Sequence, residues 1–312
     1  MADLLWAGLG LAILILAGDA LVRGAVNSAL RLGIPALIVS LTVVAFGTSA
    51  PELLVGVQAV LTGAPGIALG NVVGSNIANV LIVLGIPALI SRLGTDELDT
   101  RKSYLVMLAA SALFIVLAFL GPLTWIHGLI LLAALTAVLA DQGRQALSHR
   151  RSEAAAQDVE GADPSMRWWK IMAFLAVGLV GLPVGADLLV DASTNIARTF
   201  GISETVIGLT LVAVGTSLPE LATSVVAAVK RQADVALGNV IGSNLFNLLG
   251  ITGVVTLVGP IPVDRSFLTL DLWVMLGASV AMAPFVLMGR RLGRRWGMLF
   301  VGVYAVYLYI IV

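Results

Sequence analysis

An internal repeat constrains this chain more than any other feature. The segment from Leu41 to Gly85 recurs from Leu209 to Gly253, displaced by 168 residues without an insertion and with about half of its positions identical. The strings GTSxPE and ALGNVxGSNxxN survive in both copies, inside otherwise apolar sequence. Carboxylates and amides are costly in such surroundings and by default mark a functional site. A chain that carries the same costly cluster twice is expected to bring the two copies together.

Composition places the chain in a membrane. Hydrophobic residues make up 59% of the 312 residues and charged residues only 12%, whereas soluble domains average about half apolar and a quarter charged. A helix needs roughly 20 apolar residues to cross the hydrocarbon layer, and the sequence divides into ten such stretches. We predict an all-α polytopic membrane protein whose first stretch is a transmembrane helix, since it is too long for a signal peptide. The predicted spans are 4–31, 35–62, 66–90, 103–120, 123–140, 168–199, 204–229, 234–258, 270–288 and 296–312.

Positive charge is distributed unevenly between the predicted loops. If the amino terminus lies outside, the inner loops and their flanks collect most lysines and arginines, and the outer loops keep Arg198 and Arg265. This bias follows the positive-inside rule and places both termini outside. Because each half has five crossings, the second half must enter the membrane upside down. We predict a first five-helix repeat over 1–140, a cytoplasmic linker over 141–167 and a second, inverted five-helix repeat over 168–312.

Each repeat contains a proline within its GTSxPE string. Pro51 and its counterpart in the second repeat lack an amide hydrogen and should break their helices, which frees main-chain carbonyls. Ser49 and Glu52 are three residues apart and share a helix face, as Ser217 and Glu220 do. Inverted repeats with polar, interrupted helices at matching places are typical of secondary transporters, whose substrate site lies near the membrane midplane.

The second repeated string combines close packing with polar side chains. Gly70 and Gly74 are four residues apart and form a face that another helix can approach closely, as do their counterparts Gly238 and Gly242. A separate strip carries a serine and an asparagine, also four residues apart: Ser75 with Asn79, and Ser243 with Asn247. For the other asparagines of these strings we expect interhelical hydrogen bonds. They are Asn71, Asn76, Asn239 and Asn244.

The candidate site is made of hard oxygen donors. It offers two carboxylates, several hydroxyls, two amide oxygens and main-chain carbonyls, without cysteine, and neither His127 nor His149 recurs in the repeat. Such donors select hard cations, and the mixture of charged and neutral oxygens suits the six to eight flexible ligands of Ca²⁺ better than the octahedron of Mg²⁺. Two glutamates also match the charge of a divalent ion.

These motifs resemble the cation/calcium exchanger superfamily, and most closely the prokaryotic type of its sodium/calcium exchanger branch. The resemblance covers essentially the whole chain. It implies an antiporter in the prokaryotic plasma (inner) membrane that exchanges Ca²⁺ for Na⁺ by alternating access, with the long first and sixth helices sliding across the core. It implies no enzymatic activity, no cofactor and no obligate protein partner. The expected surroundings of the protein are the lipid bilayer, and its substrates are Ca²⁺ and Na⁺. The ion ligands implied are Thr48, Ser49, Glu52, Ser75, Asn79, Thr216, Ser217, Glu220, Ser243 and Asn247, with the carbonyls of Ala45 and Ala213.

Several alternatives stay open. Sodium is favoured as the driving ion because Asn79 and Asn247 cannot titrate, yet the glutamates can, so a Ca²⁺/H⁺ or other cation/proton antiporter is the alternative. Some relatives, including potassium-dependent ones, carry aspartate at the position of Asn247, which argues against potassium co-transport here. A cation channel and an intramembrane acid protease are alternatives of another class.

Four further acidic residues lie in or near apolar stretches but outside the repeated motifs. We expect Asp19, Asp187 and Asp191 to pair with backbone or arginine rather than with the transported ion, and Glu204 to begin a helix. No feature indicates nucleic-acid binding.

Overall fold

The structure, a computed structural model, describes residues 2–94, 98–149, 163, 165–200 and 213–311, which are almost entirely helical. Within these residues the chain forms twelve helical segments. They are α1 (Ala2–Leu32), α2 (Ala36–Thr48), α3 (Ala50–Leu61), α4 (Pro65–Ile90), α5 (Leu98–Phe119), α6 (Trp125–His149), α7 (Trp168–Thr199), α8 (Ala213–Gly215), α9 (Leu218–Val229), α10 (Ala233–Val258), α11 (Phe267–Val286) and α12 (Arg294–Ile311). The predicted all-α membrane architecture is confirmed.

Seven of these helices are long and apolar enough to cross a membrane: α1, α4, α5, α6, α7, α10 and α11. Helices α2 and α3 together make an eighth candidate span, bent by 41°. The predicted spans 204–229 and 296–312 correspond to α8 with α9 and to α12, which are not among these eight. Glu204 and the rest of 201–212 lie outside the described residues. The predicted total of ten crossings therefore stays a prediction.

The prolines break the helices where the sequence predicts. Ser49 separates α2 from α3 with a non-helical ψ of 5°, and Pro51 lies in the first turn of α3. Ser217 has the same ψ of 5° and precedes α9, which also begins with a proline. Proline is tolerated in a first turn because that amide hydrogen has no intrahelical acceptor. Each GTSxPE string thus contains a short joint between two helices, and its serine and glutamate side chains can face a common space.

Wide helical turns accompany the second string. A π-helical stretch begins at Asn79 within α4, and another covers Phe246–Ile251 within α10. Such insertions into α-helices are frequent at functional sites. They occur here at the two asparagines that the sequence singles out.

Helices α1 and α7 cross closely. A Cβ atom on Gly10 would lie 2.7 Å from the backbone nitrogen of Leu189, and one on Gly178 would lie 2.8 Å from the Cα atom of Leu21. Gly178 and Leu189 are the counterparts of Gly10 and Leu21 in the second repeat. The two close contacts are therefore equivalent under the repeat. The two helices also share an apolar cluster that is distinct from the main core and includes Val39 and Val44 of α2.

Two isolated bridges show the inversion of the repeats. Leu93, which precedes α5, pairs with Leu292, and Leu123, which follows α5, pairs with Ile261. Leu93 and Ile261 are counterparts, yet they lie at opposite ends of α5, whose 22 residues span about 33 Å. Equivalent positions of the two repeats therefore lie on opposite faces of the protein.

Helix α6 extends beyond the apolar stretch predicted for it, and the linker over 141–167 stays a prediction. Helix α6 does not end at residue 140 but continues to His149, and within this extension Asp141 pairs with Lys102 of α5 at 2.7 Å. Residues 150–162 and 164 lie outside the described part. Beyond them, the amide of Asp163 donates to the side chain of Asn27 on α1 at 2.8 Å. The hydroxyl and amide of Ser165 donate to Asp163 and lower the pKa of its carboxyl group.

Candidate functional site

Residues from both repeats meet at the carboxylate of Glu220. The hydroxyl of Ser49 donates to Oε1 of Glu220 at 3.2 Å, across the two repeats, and the hydroxyl of Ser243 donates to the same oxygen at 3.4 Å. All three side chains are buried. The joint between α2 and α3 is therefore in direct contact with the glutamate that follows the joint of the second repeat.

Glu52 occupies the equivalent position in the first repeat and is fully buried. Neither oxygen of its carboxylate has a hydrogen-bond partner among the described residues. The negative charge of Glu220 acts on it and adds repulsion to the desolvation of burial. A buried carboxylate without partners is unfavourable unless a cation or proton compensates it.

Other buried oxygens of the predicted site are also without a partner among the described residues. They are Oε2 of Glu220, Oγ of Ser217, Oδ1 of Asn79 and Oδ1 of Asn247. Native structures satisfy most buried polar atoms, so a group of unsatisfied ones needs an explanation. These atoms belong to the predicted oxygen donors, and a hard cation accepts such ligands.

Asn239 links the second repeat to the first. Its Nδ2 atom donates to the main-chain carbonyl of Glu220 at 3.2 Å and to the hydroxyl of Ser224 at 3.1 Å. Its Oδ1 atom accepts from the hydroxyl of Thr48 at 3.4 Å. Asn239 is fully buried.

Asn71 makes the corresponding contacts from the first repeat to the second. Its Nδ2 atom donates to the main-chain carbonyl of Glu52 at 3.2 Å, and its Oδ1 atom accepts from the hydroxyl of Thr216 at 3.4 Å. Each asparagine thus joins the glutamate of its own repeat to the threonine of the other. The interhelical hydrogen bonds expected for Asn71 and Asn239 are confirmed.

The remaining asparagines break the symmetry. Asn79 donates to Oδ1 of Asn244 at 3.0 Å, which confirms an interhelical bond for Asn244. Asn76 instead donates to the carbonyl of Val72 in its own helix at 2.7 Å, so the interhelical bond expected for Asn76 is wrong. Its Oδ1 atom and both amide atoms of Asn247 have no partner among the described residues.

The other predicted ligands lie near the first joint, on α4 and at the start of α8. The carbonyl of Ala45 accepts from the hydroxyl of Thr48 at 3.3 Å and from the amide of Ser49 at 3.0 Å. Ser75 is buried on α4, and Ala213 is the first residue of α8. The role of all of these residues as ligands stays a prediction.

Close packing brings α10 against α2. A Cβ atom on Gly242 would lie 2.6 Å from both the Cβ atom of Ala45 and the carbonyl oxygen of Leu41, and one on Gly238 would lie 3.0 Å from Cβ of Ser40. The expected close approach of a helix is thus confirmed for the second repeat. In the first repeat, no described atom lies within 4 Å of such an atom on Gly74. The counterpart of α2 falls largely within residues 201–212, outside the described part.

Two serines make hydrogen bonds next to the site although neither serine recurs in the other repeat. Ser40 donates to the carbonyl of Val235 at 2.7 Å and so joins α2 to α10, and Ser224 accepts from Asn239. Their counterparts in the other repeat are Gly208 and Gly56. A search for residues that recur in both copies therefore misses them.

Asp19 is paired, as expected from the sequence. Its carboxylate contacts Arg23 at 2.7 Å and also Lys230, which follows α9. Asp19 is thus engaged with cationic side chains and is separate from the glutamates. The expected pairing of Asp187 and Asp191 stays a prediction.

Comparison with known proteins identifies relatives along almost the whole chain. A family model described as sodium/calcium exchanger protein matches residues 3–140 and 170–312. The sodium/calcium exchanger MaX1 of Methanosarcina acetivorans is 32% identical over 97% of this chain and 96% of its own length. The inner membrane protein YrbG of Escherichia coli is 34% identical over 96% of this chain and 93% of its own length.

A solved structure is similar in fold as well. The structure of the sodium-calcium exchanger NCX_Mj soaked with Na⁺ and Sr²⁺ has a TM-score of 0.84 to this chain at 32% identity, covering 98% of this chain and 97% of that one.

Proposed function

The chain belongs to the sodium/calcium exchanger family, and from this premise we propose that it is an antiporter that moves Ca²⁺ against Na⁺ by alternating access. Membership makes it a membrane transporter of the cation/Ca²⁺ exchange type and not an enzyme. The side chains of the site support sodium rather than protons as the driving ion.

One observation carries the proposal, namely the group of buried oxygens without partners around two carboxylates. Both oxygens of Glu52 and one oxygen of Glu220 are free to bind a cation, with neutral oxygens of Ser217, Asn79 and Asn247 beside them. Two negative charges balance one Ca²⁺ ion, and oxygen ligands in this number suit its six- to eightfold coordination. The same carboxylates, shared with neutral hydroxyl and amide oxygens, also serve two or more Na⁺ ions.

Competition for shared ligands supports exchange. If Na⁺ and Ca²⁺ both require Glu52 and Glu220, occupancy by one ion disfavours the other, and the protein carries them in separate steps. Because Asn79 and Asn247 have amide side chains, they cannot exchange protons during the cycle. Sodium needs only the oxygens that the site already presents, whereas a proton-driven cycle would depend on the two glutamates alone.

The proposed ligands extend beyond the unpartnered atoms. In this proposal the ions also contact hydroxyl or carbonyl oxygens at the two joints and on the helices that follow them. The full proposed set is Glu52, Glu220, Thr48, Ser49, Thr216, Ser217, Ser75, Asn79, Ser243 and Asn247, with the carbonyls of Ala45 and Ala213.

The moving part of the cycle is proposed to be the pair of helices α1 and α7. They contact each other closely through Gly10 and Gly178, and the apolar cluster between them also includes Val39 and Val44 of α2. Sliding of these two helices over the remaining core would open the site to one face and then to the other.

Flux measurements with purified protein in vesicles test the driving ion. In Ca²⁺-loaded vesicles at equal pH on both sides, external Na⁺ should release Ca²⁺, and external K⁺ at the same ionic strength should not. An imposed pH gradient without Na⁺ should release little Ca²⁺. Equal release by the pH gradient alone would assign the protein to the Ca²⁺/H⁺ type, and release without any counter-ion would indicate a channel.

The proposed location is the prokaryotic plasma (inner) membrane with both termini outside. One relative is named an inner membrane protein. In this structure Arg92, Arg231 and Arg291, from three separate turns, line one cavity of about 350 Å³ at one end of the helices. Their counterparts at the opposite end are Pro260, Gly63 and Leu123, which carry no charge. The positive-inside rule therefore favours the arginine end as cytoplasmic.

A further inference from the structure

Asn71 and Asn239 each connect a site glutamate to a threonine of the other repeat. We propose that they are positioning residues that hold the carboxylates of Glu52 and Glu220 at the separation that Ca²⁺ requires. The inference rests on the proposed function and adds to it two residues outside the proposed ligand set.

The chemistry of the contacts fixes the orientation of each amide. The main-chain carbonyl of a glutamate can only accept, so the NH₂ group of the asparagine must face it. The amide oxygen then faces the threonine, whose hydroxyl must donate its proton. Turning the amide over would bring its oxygen against the carbonyl of the glutamate and lose that bond, so the asparagine holds one orientation and keeps glutamate and threonine together.

Two parallel connections join Glu220 to the first repeat. Thr48 reaches the carbonyl of Glu220 through Asn239, and the adjacent Ser49 reaches its carboxylate directly. Main chain and side chain of Glu220 are therefore both connected to the joint of the first repeat. Asn71 makes the same kind of connection between Thr216 and Glu52.

This connection bears on Ca²⁺ affinity. The two carboxylates are buried and repel each other, so without a constraint the ion-free protein relaxes toward a larger separation. A divalent ion that needs both carboxylates must then draw them together, which weakens its binding. A scaffold that holds them in place in advance reduces that loss. Because the threonine contacts are long at 3.4 Å, the expected effect per asparagine is moderate.

The test measures Ca²⁺/Ca²⁺ self-exchange in proteoliposomes at fixed pH without Na⁺, which makes the result independent of the driving ion. Asn239→Leu should raise KM for Ca²⁺ by about two- to tenfold, the range that corresponds to one net hydrogen bond. The maximal rate per correctly folded protein should stay within about twofold. A general folding defect would lower the maximal rate instead.

A crosswise double-mutant cycle separates positioning from a nonspecific effect. If Asn239 acts through Thr48, Asn239→Leu should raise KM no further in a Thr48→Ala background. In a Thr216→Ala background, the matched control, its full effect should remain, because Thr216 contacts Asn71 and not Asn239. Effects that multiply in both backgrounds, or an unchanged KM in Asn239→Leu, would overturn the inference.

Asn71 provides a second test if Asn239→Leu does not accumulate as folded protein. Asn71 is only half-buried, and Asn71→Leu should lose its effect with Thr216→Ala and keep it with Thr48→Ala. Absence of Ca²⁺ self-exchange in the unmodified protein would refute the proposed function itself, whereas normal self-exchange with multiplying effects would refute only the role of the asparagines.

Discussion

Replacement of Glu52 by glutamine separates the ion site from the stability of the fold. The side chain is fully buried and neither of its carboxylate oxygens has a partner among the described residues. Glu52→Gln keeps the size of the side chain but removes its charge and its repulsion with Glu220. We therefore expect the ion-free variant to be at least as stable as the unmodified protein, while Ca²⁺ no longer stabilises it.

The magnitude follows from the loss of one of two charges that face a buried divalent ion. Removal of one partner of a buried charge pair costs about 3–5 kcal/mol, which corresponds to more than about a hundredfold in the dissociation constant. At a Ca²⁺ concentration of about 100 times the dissociation constant, the unmodified protein gains about 2.7 kcal/mol from binding. A variant that binds a hundredfold more weakly gains only about 0.4 kcal/mol at the same concentration.

Thermal unfolding of purified protein in detergent, with chelator or with Ca²⁺, measures both effects. The melting temperature of Glu52→Gln in chelator should equal or exceed that of the unmodified protein, and its Ca²⁺-dependent rise should be largely lost. Glu220→Gln should behave alike, since its amide oxygen can still accept from Ser49 and Ser243. If both variants retained the full Ca²⁺-dependent rise, the ion site would have to lie elsewhere.

Three further predictions concern topology, packing and the paired aspartate. A label introduced at Ser152 should react only from the cytoplasmic face, and one at Val312 only from the outer face. Reaction of both labels from the same face would contradict the inverted topology. Gly242→Ala should lower stability by about 1–3 kcal/mol, as expected for overpacking against α2, whereas Gly277→Ala, with no described atom within 4 Å, should be near neutral in the same melting assay. Asp19→Asn should change the Ca²⁺ dissociation constant by less than about fivefold, because this partly exposed ion pair is worth at most about 1 kcal/mol. A change as large as that of Glu52→Gln would assign Asp19 to the ion site.

The fold could be predicted because its main determinants are local or repeated. Apolar length predicts each long helix, and Pro51 predicts the joint at Ser49 because a proline in the helix interior removes a hydrogen bond and clashes with the preceding turn. The constant displacement of the repeat identifies which positions are equivalent. The bridges of Leu93 and Ile261 at opposite ends of α5 agree with the inversion that the odd number of predicted crossings requires.

The partners of the site residues could not be predicted, because they depend on distances between helices. Thr48 contacts Asn239 and not Asn71, and spacing along the chain gives no reason to prefer the other repeat. The continuation of α6 to His149 could not be predicted for a similar reason. By sequence Asp141 is a polar residue after the apolar stretch, and its pairing with Lys102 depends on the distance between α5 and α6. Hydropathy alone detects the end of the apolar stretch rather than the end of the helix.

Two kinds of asymmetry distinguish the halves of this nearly symmetric site. The ion pair of Asp19 with Lys230 has no equivalent because Thr62 is the counterpart of Lys230, so this difference is encoded in the sequence. The bond from Asn79 to Asn244 differs in kind, since the counterparts Asn247 and Asn76 are chemically identical but make no such bond among the described residues.

An asymmetry between identical residues does not come from the residue types themselves. In an alternating-access cycle built from inverted repeats, a site open to one face requires the two repeats to adopt different conformations, and exchange of these conformations opens the other face. The two asparagine pairs are chemically equal, so neither arrangement is favoured by residue type at these positions. Amide pairs of this kind can therefore change partners between states without loss of chemical complementarity, whereas the Asp19 pair, present on one side only, can stabilise just one of them.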